Sequence, residues 1–463
     1  MRIAFVHYLI GDKSGISAVM RTNILSLRKL YPKVSVLLAG KIVSRLMEDP
    51  QVKYVDIKEL DIGKGRQLRF ERQDVYTYMH DGEKIFEKVK NAVNGCDYVI
   101  IENPSLGLHP AATYAFYRLA QHNAESKGKS KIVFRIHDFA EDRPGKFANL
   151  LKFSGKDTPL WHFILYPNFR NLGYFVINRQ DKTKLYGHGL IEKGKVFYIP
   201  NPVDESLLQG NNEQAKKLKE LIIKKKRLDK HVKFIFYPVR AIARKNIEEA
   251  IFLIQLLNYH LNEKYHLLVN VRESDNDSLQ YSRKIEKFSR KYRLPVIIGL
   301  QEFVAFDRVM ENGQIKKYGI GDAYNMADKV ITTSMLEGFG MAFIEPWYHG
   351  KAVFGRDLPL VTSDFKRRGV NLEHLYSTLF IGKKDFKDLG SMDAKLRLSL
   401  RLKNKQFRKE IWETNYHQLR GMLEVFDKEF EEELVRENRA QVVANYNQYR
   451  NARDIIRALK GVR

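Results

Sequence analysis

Glu337 and Glu345 frame the segment Glu337-Gly-Phe-Gly-Met-Ala-Phe-Ile-Glu345, and two carboxylates at that spacing around two glycines are the chain's first chemical signal. The segment follows the apolar stretch Val330-Ile-Thr-Thr-Ser334. The pattern predicts a strand, a glycine-bearing turn and a helix over 340–349. Gly338 and Gly340 let backbone N–H groups approach a ligand closely, and the helix points its positive end at that ligand. Glu345 is expected about one and a half turns into the helix. Glu337, before the turn, can accept hydrogen bonds from hydroxyls. The layout suits an anionic group with a polyol at each end.

A cationic loop makes a second constellation. The strand Phe234-Ile-Phe-Tyr-Pro-Val239 runs into Arg240-Ala-Ile-Ala-Arg-Lys-Asn246. Cations at a helix start are disfavoured by the helix dipole unless an anion is present. Two cations on such a loop can neutralise a diphosphate as it gains charge. Arg244 is a third cation, and the register between Arg244 and Lys245 stays open. Gly11-Asp-Lys-Ser-Gly15 sits between a first strand and a helix; it lacks the Gly-Lys-Ser/Thr order of a P-loop. Another strand ends in His137-Asp138-Phe139, followed by Glu141-Asp142-Arg143, and a further one ends in Glu102-Asn-Pro104.

Elements that would place these residues alternate along the chain. Strands are predicted over 2–8, 34–38, 53–57, 98–102, 131–136, 174–178 and 196–199, with helices over 17–30, 82–93 and 110–121. The pattern restarts with strands over 233–238, 266–271, 295–299, 329–333 and 352–355, and helices over 246–259 and 323–327. Short apolar strands between helices imply parallel sheets covered on both faces. The expected fold class is therefore α/β: two Rossmann-like doubly wound domains in series with C-terminal helices, expected as two facing domains with a cleft between them as the default ligand site. Residues 1–205 form the first domain, 206–425 the second and 426–463 the closing helices, which are expected to pack back toward the first domain. Doubly wound sheets bind ligands at the carboxyl ends of their strands.

A chain of 463 residues fits two or three domains of roughly 150 residues each. One cysteine, Cys96, excludes an internal disulfide and a cysteine-only metal site, and fits a reducing compartment. The basic, apolar start is too short and is broken by His7, so it reads as a strand rather than a signal peptide. No stretch reaches the roughly 18 apolar residues of a spanning helix. The 80 Lys and Arg against 55 Asp and Glu give +25, a charge that attracts polyanions. The densest run, 216–233, carries Leu218, Leu221, Ile222 and Ile223 at helical spacing, as either a membrane-surface helix or a charged helix face.

The Glu337–Glu345 segment resembles the E-x7-E donor motif of retaining GT-B glycosyltransferases, in particular the large family 4 that includes sucrose- and glycogen-synthase-like members. Pro346-Trp-Tyr-His-Gly-Lys-Ala-Val-Phe-Gly355 resembles that family's EAMACGxPVV stretch, with Pro-Trp-Tyr-His in place of small residues. Arg240 to Asn246 resembles its GRLxxxKG element, departing at Pro238-Val239 and at Asn246. Ile199-Pro-Asn-Pro-Val-Asp204 resembles its IPNGVD crossing and is read as mainly structural. Gly11–Gly15 resembles the family's glycine-rich first loop and His137 its strand-end histidine, so the matches span roughly residues 1 to 365.

The resemblance implies transfer of a hexose, with retention, from a UDP-, GDP- or ADP-sugar to an acceptor hydroxyl, with no metal or further cofactor required. It implies catalytic roles for His137, Arg240, Lys245 and Glu337. Donor contacts fall to Gly15, Arg240, Lys245, Glu337, Phe339, Gly340, Met341 and Glu345, with Glu345 on the ribose. Asp138, Glu141 and Arg143 are expected on the acceptor side; Glu102 is either an acceptor contact or structural. The acceptor is expected to be small and phosphorylated or anionic, or a glycan or lipid at a membrane surface. The expected location is the cytoplasm, with peripheral contact to an anionic membrane as an option. Two rivals remain: another two-domain α/β sugar enzyme (a phosphorylase or epimerase), and a basic nucleic-acid-binding protein. No helix-turn-helix, zinc-finger or RNA-binding signature accompanies the charge, so no nucleic acid is expected.

Overall fold

The computed structural model describes residues 1–12, 14–62, 75–126, 128–142, 158–187, 191–204, 210–271 and 276–462. The chain divides into two compact units, Met1–Pro202 with Tyr446–Arg463, and Val203–Asn445.

The first unit is built on seven strands: β1 (Arg2–Ile10), β2 (Ser35–Ile42), β3 (Val52–Asp56), β4 (Tyr98–Glu102), β5 (Lys131–Ile136), β6 (Leu172–Val176) and β7 (Val196–Tyr198). Runs such as Ile3-Ala-Phe-Val6, Val99-Ile-Ile101 and Ile132-Val-Phe134 are buried on both sides. Continuous rather than alternating burial is the mark of a parallel sheet covered on both faces. The order is β3-β2-β1-β4-β5-β6-β7, all pairs parallel. The chain thus runs outward from β1 to β3, then returns to the other side of β1. This makes the carboxyl ends of β1 and β4 the topological switch point.

Among the described residues, five helices connect these strands: α1 (Gly15–Leu30), α2 (Val75–Val93), α3 (Pro110–Glu125), α4 (Thr158–Leu165) and α5 (Arg179–Gly187). The Ser14 hydroxyl caps α1 by accepting from Ser17 N at 3.2 Å. Pro110 opens α3, where its missing N–H costs nothing.

The second unit repeats the plan. It contains α6 (Asn212–Lys226), β8 (Lys233–Arg240), α7 (Ile247–Leu261), β9 (Tyr265–Val271), α8 (Asn276–Tyr292) and β10 (Val296–Ile298). A small sheet follows, β11 (Val304–Ala305), β12 (Val309–Glu311) and β13 (Gln314–Gly319), and then α9 (Ile320–Met326), β14 (Lys329–Thr332), α10 (Glu345–Tyr348) and β15 (Val353–Gly355). The main sheet is parallel, in the order β10-β9-β8-β14-β15, so β8 and β14 form its switch point. The unit closes with α11 (Pro359–Lys366), the hairpin β16 (Phe380–Ile381) and β17 (Lys384–Asp385), α12 (Met392–Arg401), α13 (Lys405–Glu424) and α14 (Lys428–Tyr446). The last helix, α15 (Gln448–Gly461), belongs to the first unit, where Asn451 Nδ2 donates to Pro200 O at 2.6 Å.

Of the basic run 216–233, the part up to Lys226 is helical, in α6, which ends at Arg227 in the left-handed conformation; Lys233 begins β8. Ala215, Leu218 and Ile222 are buried within the unit, so the apolar stripe is used internally and the lysines form a charged face. The helix predicted over 340–349 is instead a 3-10 turn, Met341–Phe343, followed by the four-residue α10. Pro346 explains the break: it has no N–H for the carbonyl of Ala342. Glu345 is accordingly the first residue of α10 rather than one and a half turns into a helix.

Candidate functional site

In the second unit, the candidate residues sit on the two loops leaving β8 and β14, which are neighbours in the sheet. β8 ends in Arg240 and is followed by a 3-10 turn, Ala243–Lys245, and then Asn246 at φ 50°. That left-handed conformation is the one glycine adopts freely and asparagine tolerates best among the rest. It accounts for Asn246 at a place where glycine was expected. The turn is pinned from within. Tyr237 donates its hydroxyl to Lys245 O at 2.9 Å and accepts from Thr333 N at 3.0 Å. The Thr333 hydroxyl reaches the carbonyls of Lys245 and Asn246 at 3.2 and 3.0 Å, and Met335 N donates to Arg244 O at 2.9 Å. The two loops are thus locked through backbone atoms, leaving their side chains to face one another.

Lys245 Nζ donates to Glu337 Oε1, and Arg244 Nη1 lies 3.4 Å from Glu337 Oε2 while donating to Leu336 O at 2.6 Å. Only 8% of the Lys245 side chain and 9% of Glu337 are exposed, so water screens this pair little. Burial pushes Lys245 down to about 8; Arg244 and Arg240 push the same way, and Glu337 opposes them. Burial would raise the Glu337 carboxyl, but Lys245 and Arg244 overcome it and hold it below the usual carboxylate range. The result is an ionised carboxylate between cations at a strand-end switch point. The cations suit a diphosphate and the carboxylate suits a hydroxyl.

Gly340 adopts φ 85°, and a Cβ there would come within 2.7 Å of Val361 Cγ1 and 2.9 Å of Phe343 Cδ2. No side chain fits, so the glycine is required by the packing beneath it. The Phe339 ring is buried edge-on against Phe365, centroids 5.5 Å apart, so the ring anchors the loop and only its backbone can serve a ligand. Met341 begins the 3-10 turn and is half-buried. Glu345 accepts from the Tyr324 hydroxyl at 2.9 Å. Burial raises its carboxyl, and the Tyr324 hydrogen bond opposes the rise. Tyr324 in turn stacks on His349, centroids 4.1 Å apart and planes 12° apart. Burial holds that imidazole down near 3, keeping it neutral.

In the first unit, Gly15 is the exposed first residue of α1, with open space where a Cβ would stand. It is Gly11, at φ 77°, that needs to be glycine, because a Cβ there would collide with Ser44 O at 2.0 Å. At the ends of β4 and β5, Glu102 and His137 form a pair: His137 Nε2 and Glu102 Oε2 are 2.6 Å apart. Arg135, level with Glu102 in the β4–β5 register, is fully buried with Nη1 3.7 Å from Glu102 Oε1. Asn103, at φ 55°, accepts from the backbone N–H of both His137 and Asp138 at 3.2 Å. Glu141 accepts from Tyr166 Oη at 2.8 Å and lies 3.8 Å from His162 Nδ1. Arg143 lies outside the described residues.

Lys245, Arg244 and Glu337 are thus brought together in one unit, and Glu102 and His137 in the other. Three supporting residues went unnoticed in the sequence. Arg135 left a signal, since an arginine inside the apolar run Ile132-Val-Phe-Arg-Ile136 demands a buried partner. Tyr237 and Tyr324 left none: a tyrosine in a strand or helix reads as core until its hydroxyl is located. Among the described residues, no group of three or more His, Cys, Asp or Glu is placed to hold a metal ion. Nor is any helix there long and apolar enough to cross a membrane.

Over nearly its whole length the chain superposes on sucrose-phosphate synthase from Thermosynechococcus elongatus, with a TM-score of 0.63 at 13% identity, covering 99% of this chain and 98% of that one. WaaG, a glycosyltransferase involved in lipopolysaccharide biosynthesis, gives 0.57 at 12% identity, covering 98% and 99%. The fold is that of the GT-B glycosyltransferases. The GT-B frame also accounts for the parallel sheet in each unit. No family model matches the chain. Among curated proteins, mannosylglucosyl-3-phosphoglycerate synthase from Petrotoga mobilis is 27% identical over 371 residues, 78% of this chain. The match covers 65% of that protein, just under two thirds of its length. Mannosylglucosylglycerate synthase from the same organism is 22% identical over 393 residues, covering 81% of this chain and 87% of that protein.

Proposed function

We propose that the chain is a retaining glycosyltransferase that moves a hexosyl group from a nucleoside-diphosphate sugar to a hydroxyl of a small anionic acceptor. The observation that carries the reading is the buried Lys245–Glu337–Arg244 cluster at the β8–β14 switch point. Arg240 and Lys245 would stabilise the diphosphate as it leaves. Phe339, Gly340 and Met341 would offer backbone N–H groups, Glu345 would take the ribose hydroxyls and Glu337 a sugar hydroxyl. His137, in the first unit, would face the transferred sugar. The bond from the anomeric carbon to the diphosphate oxygen breaks, and a bond to the acceptor oxygen forms on the same face. The acceptor proton passes to the departing phosphate oxygen.

The acceptor class follows from two supports. The net charge of +25 favours anions, and the relatives are named for products built on glycerate or phosphoglycerate. We therefore place the acceptor among glycosides of glycerate or 3-phosphoglycerate. The buried apolar stripe of α6 leaves that helix no apolar face to insert into a membrane, so a soluble acceptor is preferred to a lipid.

A panel tests the reading. UDP-glucose, GDP-mannose and ADP-glucose are each incubated with glucosylglycerate, glucosyl-3-phosphoglycerate or no acceptor, and nucleoside diphosphate release is followed. Acceptor-dependent release from one donor is the expected result. Consumption of free phosphate without any nucleotide would favour a phosphorylase instead, and interconversion of the sugar on its nucleotide would favour an epimerase.

A further inference from the structure

By its strand-end position Glu102 is either an acceptor contact or structural, and the structure sets it against His137. Glu102 closes β4 and is completely buried, as is Arg135 beside it. A carboxylate sealed in this way has no surface for an acceptor. One oxygen, Oε2, is 2.6 Å from His137 Nε2, and the other, Oε1, has no hydrogen-bond partner and faces Arg135 at 3.7 Å. Burial would raise the Glu102 carboxyl; Arg135 first, then the His137 hydrogen bond, hold it below its ordinary value. An ionised oxygen accepts only, so the proton between the two groups sits on His137 Nε2. Asn103 Oδ1 fixes the backbone N–H of His137 at 3.2 Å, and Asn201 Oδ1 accepts from Arg135 Nη2 at 3.1 Å. His137 is therefore held at its backbone and at one ring nitrogen. Among the described residues, its other ring nitrogen, Nδ1, has no partner.

We propose that Glu102 is a positioning residue: it locks His137 in the Nε2-protonated tautomer, so that Nδ1 is the atom presented to a hydroxyl of the transferred sugar, with Arg135 keeping Glu102 charged in the interior. The assignment rests on the reading that His137 faces the sugar. At metal-bound histidines, removing the second partner that fixes the ring's tautomer and orientation costs about 10- to 100-fold, and small misplacements of a reacting group cost on that scale.

The test has an arm that does not depend on turnover. Long-range nitrogen–proton NMR of the ring reports the His137 tautomer. In the wild type, and in Glu102→Gln/Arg135→Met, which retains an acceptor oxygen and strands no buried cation, the neutral His137 ring is expected to carry its proton at Nε2. In Glu102→Leu, combined with Arg135→Met so that no buried cation is stranded, the two tautomers are expected to mix. A mixed or Nδ1-protonated ring in the wild type overturns the proposal. In the kinetic arm, Glu102→Gln/Arg135→Met is expected to retain most of the rate, while Glu102→Leu/Arg135→Met is expected to lower kcat about 10- to 100-fold with the donor KM changed less than about threefold. Introduced into His137→Ala, the same pair of substitutions is expected to cost nothing further, because Glu102 acts through the ring. An additional full loss in that background would overturn the proposal and return Glu102 to an independent role. If His137→Ala alone transfers sugar normally, the wider reading of His137 fails while the tautomer lock is still judged by NMR.

Discussion

Donor affinity should depend on pH through Lys245, and the dependence can be worked out in advance. The ammonium titrates at about 8 in the ligand-free protein because it is buried beside Arg244 and Arg240. A bound diphosphate adds negative charge and raises that value, so binding takes up a proton near pH 8. The charged fraction falls from about nine-tenths at pH 7 to about one-tenth at pH 9. Nucleoside diphosphate affinity should fall by about tenfold over that interval. The sign is opposite for stability without ligand. An unfolded lysine titrates near about 10.4, so between about 8 and there the unfolded chain binds more protons, and this lysine's contribution improves as pH rises. Calorimetric titration of UDP, GDP and ADP at pH 7, 8 and 9, in two buffers of different ionisation enthalpy, reads both the affinity and the proton uptake. Lys245→Met should bind about 10- to 100-fold more weakly at pH 7, as expected for a lost charged hydrogen bond, and should show no slope. Equal wild-type affinities at pH 7 and 9, or a slope that survives in Lys245→Met, would refute the reasoning.

Three further outcomes follow from the geometry. Glu345→Ala should weaken nucleoside diphosphate binding by about tenfold or more while leaving the fold intact, as seen by titration and circular dichroism. Gly340→Ala places a Cβ against Val361 and Phe343 at a positive φ; it should cost about 1–3 kcal/mol, read as a lower melting temperature. Arg356 is buried between Glu249 and Asp385, with its four carboxylate contacts at 2.7 to 2.9 Å. Arg356→Met strands both acids and should cost about 3–5 kcal/mol in denaturant unfolding.

Where a strand is a continuous apolar run, its period and its flanking turns give it away, so β4 and β5 could be placed to the residue from sequence. The small sheet β11–β13 could not, because its short strands are largely exposed and lack an apolar period. Helices α11 to α13 were passed over for a related reason: their charged residues obscure narrow buried stripes such as Leu396 and Ser399 or Phe407 and Ile411. At the site, the side chains proposed to act on a ligand stand out by type, since Glu337, Lys245 and Glu345 lie on loops or a helix start after apolar strands. What holds them does not. The hydroxyls of Tyr237 and Tyr324 matter through contacts with Lys245, 8 positions along, and Glu345, 21 positions along. Glu102 shows the same limit: its strand-end position leaves open an acceptor contact or a structural role, and only the structure sets it, fully buried beside Arg135, against His137.

The central claim is that sugar leaves a nucleoside diphosphate at the Lys245–Glu337 cluster and arrives at an acceptor with its configuration kept. Proton NMR of a single reaction, begun with the α-linked nucleotide sugar that the panel selects, tests it most directly. The account predicts one equivalent of nucleoside diphosphate for each new α-glycoside, and loss of both signals in Lys245→Met. A β-linked product, or undiminished transfer by Lys245→Met, would contradict it.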